Sequence, residues 1–403
     1  MRTPAEAVSI ILDHADALDE RETCPLAAAA GRVLAADVEA DVDLPPFAKS
    51  AMDGYALRAA DLAGRAGGCE LRRVGESSAG RPYAGRVGTG ECVAIYTGAE
   101  LPADCDAVVV VERSRAEGER VFLDDRPAPG QHVCARGEDL RAGERALERG
   151  RRLAPIDLSL LAAVGCEPVP VFRRPRVTIL TTGDELVPPD VEPGPGQIRE
   201  GNTLHLAALA RRDGAEVLRA GVLADDRDEL ARAFAVALDE SDVLVTTGGV
   251  SMGRYDLVGE AFERCGVEPV FHKVAIKPGK PLWFGLRAGV LVFGLPGNPV
   301  SCLVGHEVFV RPALAKLGGA REDEWGARLR LGRWAGGATR PGDRQQNLPV
   351  SVAQGADGVD VLAPVRWKSS ADVAGLSRAQ GLAVVPPGET LTAGELVSYR
   401  PLA

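Results

Sequence analysis

The sequence predicts an α/β multidomain protein with a mostly parallel sheet, flanked by helical stretches, a β-rich segment and a small all-β unit at the C-terminal end. Three observations predict it. From Arg176 onward, strand-like runs alternate with helical ones: VTILTT, Asn202 to Arg212, EVLRAGVL, Asp228 to Leu238, DVLVTT. Such alternation means right-handed βαβ units. Between Phe47 and about Leu140 the pattern is instead of short runs broken by Gly and Pro, as in VGTGECVAIYTGAELPADCDAVVVVE. After Gly318, short strands recur at regular spacing (GARLRLGRWAG, QNLPVSV, VDVLAPV, GLAVVPPGE, ELVSYRP), which reads as a barrel or a sandwich.

In chain order, Thr3-Pro4-Ala5-Glu6 is a capping box with proline at the first helical position, and it predicts an amphipathic helix through about Leu18. A second helical stretch is expected around Ala27 to Ala36. Helical spacing resumes in PIDLSLLAAVG, Pro155 to Gly165, so the β-rich segment reads as an insertion between two halves of a helical domain. Asn298-Pro299 should cap a long helix reaching about Lys316, with Pro312 forcing a bend or an early end. There is no internal repeat and no low-complexity tract.

At 403 residues the chain is past the size at which one core keeps growing, so two to four domains are expected. Low aromatic content beside abundant Ala, Gly, Val and Leu fits a soluble α/β protein. A formal charge of −10 opposes binding to nucleic acid or an anionic membrane, because both need a basic footprint. No apolar run approaches the ~20 residues of a membrane span, and MRTPAEAV has no signal-peptide pattern, so a cytoplasmic location is expected. The eight cysteines are scattered without a C-x-x-C pair, as reduced packing residues would be.

The chemistry concentrates in five glycine-rich turns: FAKSAMDGYAL, VTILTTGDEL, DVLVTTGGVSMGRYD, VAIKPGKP and VLVFGLPGNPVS. Ligands of open α/β sheets collect where parallel strands end, so the last four should line one crevice, suited to a polyanion held with a divalent cation. In Thr182-Gly183-Asp184-Glu185 the backbone can form a nest for an anionic oxygen while Glu185 reaches a metal or a hydroxyl. Read alone it is equally an ordinary turn with Asp184 capping a helix. Thr246 to Ser251 repeats that logic, with Gly248, Gly249 and Ser251 in the turn and Asp256 entering the next helix, where it can also be a plain N-terminal charge.

Lys277 and Lys280 flank Pro278-Gly279, a turn constrained enough for both ammonium groups to converge on one anion. Gly294 to Pro299 leads into a helix N-terminus, an anion site by geometry and also a place for Asn298 to cap. Asp53 sits beside a glycine turn far upstream. No G-x-x-x-x-G-K-[ST], H-E-x-x-H, G-x-S-x-G or strand-following G-x-G-x-x-G occurs, and the five histidines show no metal-ligand spacing. Hard-cation, phosphate-directed chemistry remains.

SAMDGYAL, YTGAELPADCDAVV, RGEDL, TTGDEL, GQIREGNT, TGGVSMGRYD, AIKPGKP and GLPGNPVS occur in an order and spacing that resembles the molybdopterin molybdenumtransferase family, MoeA and the gephyrin E-domain, over essentially the whole chain. The resemblance implies four domains: a helical domain in two segments (1–45 and 141–175), a β-rich insertion domain (46–140), a molybdopterin-binding α/β domain (176–318) and a C-terminal β-barrel (325–403). It implies a homodimer whose cleft lies between the α/β domain of one subunit and the β-rich domain of the other.

It further implies that adenylylated molybdopterin and molybdate are the substrates, that the phosphoanhydride is hydrolysed with Mg2+, and that AMP leaves. The adenylylating enzyme and acceptor molybdoenzymes would be further partners. In that scheme Asp53, Glu185, Asp226 and Asp256 hold the cation or orient water, and Lys277 and Lys280 neutralise anionic charge. Thr97, Gly98, Thr182, Gly183, Gly248, Gly249, Ser251, Pro296, Asn298 and Pro299 contact substrate.

Three departures from the family pattern stand out: Val133-Cys134 before the Gly-Glu-Asp of residues 137 to 139, with Arg136 the only nearby guanidinium; Ala371 where histidine is expected; and the Gly342 to Val350 stretch. Two alternatives are set beside the transferase: a non-catalytic molybdopterin-binding scaffold on the same fold, and a nucleotide-directed activity of the α/β domain alone. The first 175 residues and the barrel weigh against the second.

Overall fold

A buried strand turns alternate side chains to opposite faces, and the three buried parallel strands of the central sheet show this. In the computed structural model, which describes residues 1–63, 69–249, 257–326 and 329–402, the α/β region runs β1 (Arg176–Thr182), α1 (Asn202–Arg212), β2 (Glu216–Leu223), α2 (Arg227–Glu240), β3 (Val243–Thr247), α3 (Leu257–Arg264), β4 (Glu268–His272), β5 (Trp283–Arg287), β6 (Val290–Leu295) and α4 (Pro299–Gly305). The strand order is β2-β1-β3-β6-β5-β4. The first four are parallel, and β5 runs antiparallel to both of its neighbours.

Val177, Ile179, Val243, Val245, Leu291 and Phe293 face one core, shared with α1 and the segment after α4. Leu180, Leu244 and Val292 face the other, under α2 and α3. Because β2 and β3 flank β1 on opposite sides, the strand order reverses between β1 and β3. That is where an open α/β sheet leaves a crevice beyond its strand ends.

The capping box forms, with the Glu6 N–H donating to Thr3 Oγ1 at 3.2 Å and the Thr3 N–H to Glu6 Oε2 at 2.8 Å. The helix ends at Asp13 rather than Leu18. The Leu18 N–H is drawn away to the carbonyl of Leu317 at 2.9 Å, so the chain leaves the helical path to dock on another segment. Ala7 and Ile11 of this helix join the core under β1 and β3.

The helix expected around Ala27 to Ala36 is absent. A single 3-10 turn spans Leu26–Ala28, Gly31 takes φ +75°, and Val33 and Leu34 pair as isolated bridges with Arg152 and Val171. Cross-chain pairing has taken the apolar residues that looked helical. The remaining helix there, Pro155–Ala163, packs on extended segments rather than on other helices.

The β-rich segment is a six-stranded sheet whose Gly54–Leu57 strand lies between Glu91–Ile95 and Ala107–Val110. The C-terminal unit is a barrel, not a sandwich. Five strands close on themselves, with Gln345–Gln354 bonded to both Asp360–Pro364 and Gly381–Val385. Ile276–Lys277, between β4 and β5, adds to this barrel by parallel pairing with Gln345 and Gln346. The long helix after Asn298 is interrupted by a π turn at His306–Val310 before resuming at Arg311–Leu317. The Arg311 N–H bonds five residues back to His306 O, so the ladder is already shifted when it meets Pro312, which has no N–H to give.

Candidate active site

A cavity of about 1150 Å³ opens at the carboxyl edge of the sheet, between the turns after β1, β3 and β6 and a loop of the barrel. Its polar end is formed by Thr182, Glu185, Gly248, Gly249 and the Pro296–Pro299 turn. Close backbone approach builds this end. Gly248 holds φ +88°, and a methyl there would stand 2.4 Å from the Thr182 carbonyl oxygen, so only glycine fits. A methyl on Gly183 would meet the Glu185 carboxylate at 2.7 Å, which locates that carboxylate above the turn.

Asn202, the first residue of α1, ties the edges together. Its Nδ2 donates to Gly297 O at 2.6 Å and to Thr247 Oγ1 at 3.3 Å. Buried Thr181 and Thr203 share a hydroxyl hydrogen bond at 2.8 Å, and Glu200 Oε1 accepts from the Thr203 N–H at 2.8 Å. Among the described residues lining the cavity, Arg199 is the one full cation. His205 at the inner end has its pKa lowered, first by burial and then by His306 nearby, so it favours the neutral form.

Two aspartates at the end of β2 have separate tasks. Asp226 Oδ1 accepts from the Asp228 and Glu229 N–H groups at 3.0 and 2.8 Å, capping α2. Asp225, its neighbour, accepts from the Thr182 hydroxyl, and its own N–H donates to Asp184 Oδ1 at 3.1 Å. Asp225 therefore faces the β1 turn, a placement that the Asp-Asp pair alone does not reveal.

Asn298 stands at the N-cap of α4, but its side chain makes no cap bond. Its Nδ2 donates to Ser370 Oγ of the barrel loop at 2.9 Å, and the Val300 N–H donates to Ser370 O at 3.0 Å. Pro299 has no N–H, so the barrel loop occupies much of what the sequence offered to an anion.

Lys277 and Lys280 are exposed and stand outside the cavity lining, and neither side chain makes a hydrogen bond or ion pair among the described residues. Arg344 joins them through the barrel: its Nη1 donates to Ile276 O at 3.3 Å, next to Lys277 in the shared strand pairing. This basic neighbour arises from pairing between segments far apart in sequence. Lys273, just upstream, holds φ +74°, a conformation that a lysine keeps only where its surroundings impose it.

In the β-rich sheet, Asp53 Oδ1 accepts from the Thr97 N–H at 2.7 Å and from Thr97 Oγ1 at 2.8 Å. Those two bonds hold the Asp53 carboxyl below the usual carboxylate range. Gly98 follows with φ +80°. None of the three lines the cavity of its own chain. Ser251 and Asp256 lie outside the described residues. Among the described residues no group of three or more His, Cys, Asp and Glu side chains meets as a metal site.

Three family models match in succession: the MoeA N-terminal region (domain I and II) over residues 2–165, the probable molybdopterin binding domain over 178–316, and the MoeA C-terminal region (domain IV) over 332–402. The chain is 36% identical over 324 residues to a molybdopterin molybdenumtransferase of Nostoc sp., covering 79% of this chain and 74% of the relative. It is 39% identical over 301 residues to molybdopterin molybdenumtransferase 2 of Mycobacterium tuberculosis, covering 72% of this chain and 74% of the relative. The crystal structure of a molybdopterin biosynthesis moeA protein from Pyrococcus horikoshii superposes with a TM-score of 0.85 at 30% identity, covering 100% of both chains.

Proposed function

The chain belongs to the molybdopterin molybdenumtransferase family and is a transferase of molybdenum cofactor biosynthesis; we propose that it transfers molybdate to adenylylated molybdopterin, hydrolysing the phosphoanhydride and releasing AMP. The observation that carries this reading is the 1150 Å³ cavity at the sheet's reversal point, with glycine turns at its polar end and room for a nucleotide-sized anion.

The donors at that end are oxygens: the Glu185 carboxylate and the Thr182 hydroxyl line it, and the Asp225 carboxylate stands behind Thr182, accepting its hydroxyl hydrogen bond. They fit Mg2+, which takes one or two carboxylates and completes its shell with water and substrate phosphates. Glu185, Asp225 and Asp256 would hold the ion in this chain, with Asp53 supplied by a second copy. Asp226 contributes by fixing α2 beside them. Bound there, the ion supplies charge neutralisation at the phosphoanhydride.

This chain's own residues do the rest. Asn202 fixes the turn against which the substrate lies, Gly248 admits it close to the backbone, and Arg199 meets its negative charge. Lys277, Lys280 and Arg344 form a separate basic group, suited to delivering a small oxyanion such as molybdate. Thr97 keeps Asp53 ionised and oriented, and Gly98 continues that turn. Pro296, Asn298 and Pro299 line the same cavity as Glu185, and Ser251 is kept as a substrate contact on the family resemblance alone.

We place the domain divisions at 1–45 with 141–175, 46–140, 176–318 and 325–403. The functional unit we infer is a homodimer, as the family resemblance implies, which accounts for Asp53 and Thr97 standing outside the cavity of their own chain. Among the described residues no helix is long and apolar enough to cross a membrane. None of the eight cysteines is in a disulfide, which supports a reducing compartment, so we assign the cytoplasm. The adenylylating enzyme and acceptor molybdoenzymes are the expected partners on either side of the reaction.

Incubation of purified protein with adenylylated molybdopterin, Mg2+ and molybdate tests the function. AMP release that depends on molybdate, with cofactor able to reconstitute a molybdoenzyme, supports it. Binding without turnover contradicts it.

A further inference from the structure

Separate from the active-site cavity and sharing no lining residue with it, a narrow cleft joins the two-segment N-terminal region to the α/β domain, and arginines dominate its lining. Arg32, Arg152, Arg173 and Arg174 face it together with one carboxylate, that of Asp213. Asp213 is already committed: Arg212 donates to it through Nε and Nη2, both at 2.9 Å, and His306 Nε2 lies 2.8 Å away. Arg173 is held by Asp242 at 2.8 and 3.1 Å, and Arg32 by Glu22 and the Phe172 carbonyl.

Arg152 and Arg174 are left with backbone partners. Arg174 Nη1 donates to Gly214 O at 3.2 Å and forms no ion pair among the described residues. Arg152 Nη1 donates to Gly31 O at 3.1 Å, and its nearest carboxylate, Glu324, is 4.0 Å from Nε. Each guanidinium carries five N–H donors, so most of their capacity remains unspent in a partly desolvated place. Burial lowers the pKa of both, and for Arg174 the charges of Arg32 and Arg152 add to that. Two cations facing one cleft repel, and an anion between them removes that cost.

The cleft has a volume of about 20 Å³, room for one body of roughly water size. A tetrahedral oxyanion exceeds it. We propose that Arg152 and Arg174 bind one small monovalent anion of halide size, which fastens the Gly31, Arg152 and Arg174 segments of the N-terminal region to the Gly214 segment of the α/β domain.

Two measurements test this on the full-length protein. In melting curves at equal ionic strength, sodium chloride should raise Tm saturably over sodium gluconate, by about 2 °C, and Arg174→Met should abolish the difference. Diffraction from crystals of the unaltered protein soaked in sodium bromide should give an anomalous peak between the two guanidinium groups. Equal melting in chloride and gluconate, a chloride response that survives in Arg174→Met, or bromide-soaked crystals with only a water there would each overturn the proposal. The bromide measurement stands even if Arg174→Met fails to fold.

Discussion

Asn202 donates its side-chain amide to the Gly297 carbonyl at 2.6 Å, so the first residue of the helix after β1 fixes the turn after β6 across the width of the cleft. The same amide reaches Thr247 Oγ1 at 3.3 Å, and three strand ends share one small polar group. Asn202→Ala leaves the Gly297 carbonyl without that partner at the cavity wall. Gly297 is exposed, so water can replace the lost partner and the net loss is about 0.5–1.5 kcal/mol. The expected result is a KM for adenylylated molybdopterin raised about 2- to 10-fold, with the far-ultraviolet circular dichroism unchanged. An unaltered KM would remove Asn202 from the site.

Gly248→Ala is a sharper test of the turn itself. The residue sits at φ +88°, and the added methyl would stand 2.4 Å from the Thr182 carbonyl oxygen. Strain of this kind costs about 1–3 kcal/mol, and it is relieved only by moving the turn. Turnover should fall by at least about 10-fold while Tm falls by a few degrees. Normal turnover would mean that substrate does not approach this backbone.

Asp213 makes a pH prediction. Burial alone would raise its pKa, but hydrogen bonds from His306 and Arg212 outweigh burial and bring it down to about 2. A depressed carboxylate contributes stability that is fully present above its unfolded value of about 3.9 and lost as pH falls toward about 2. Asp213→Asn, which takes a shared carboxylate from Arg212, Arg311 and His306 while Glu307 still pairs with both arginines, should cost about 1.5–3 kcal/mol in urea unfolding at pH 7. That difference should shrink between pH 4 and pH 2. A constant difference across the range would contradict the assignment.

Asn347 predicts a gain. It is 0% exposed, and neither amide atom has a hydrogen-bond partner in the structure. Its neighbour Leu348 packs into the barrel core, so Asn347 faces the opposite side of the strand, toward the α/β domain. Asn347→Val removes an unsatisfied buried amide and suits a strand, so stability to urea should rise by about 1 kcal/mol. A loss would show that the amide is in fact satisfied.

The central sheet was legible because its signals are local. β-branched runs, glycine turns and the capping box at Thr3 each need only neighbouring residues. The helix expected around Ala27 to Ala36 failed because its apolar residues are claimed by strand pairing with Arg152 and Val171, more than 100 positions away. Site residues divide the same way. Glu185, Gly248 and Gly249 could be read from their turns, and all three line the cavity. Asp225 could not be told from Asp226 without knowing which carboxylate caps α2. Arg344 meets Ile276 only because the barrel borrows a strand from the α/β domain. Asn298 carried a helix-cap signal, yet the barrel's Ser370, 72 positions further along the chain, competes for it.

The central claim is that a working cleft combines Glu185 of one copy with Asp53 of another, and subunit complementation tests it most directly. Asp53→Asn and Glu185→Gln, each inactive alone in molybdate-dependent AMP release, would be co-produced with different tags and the mixed dimer isolated. One of its two clefts carries both substitutions and the other carries neither, so the mixed dimer should regain about half of the unaltered activity. A mixed dimer as inactive as its parents would mean that each cleft takes both residues from a single chain, and would contradict the account.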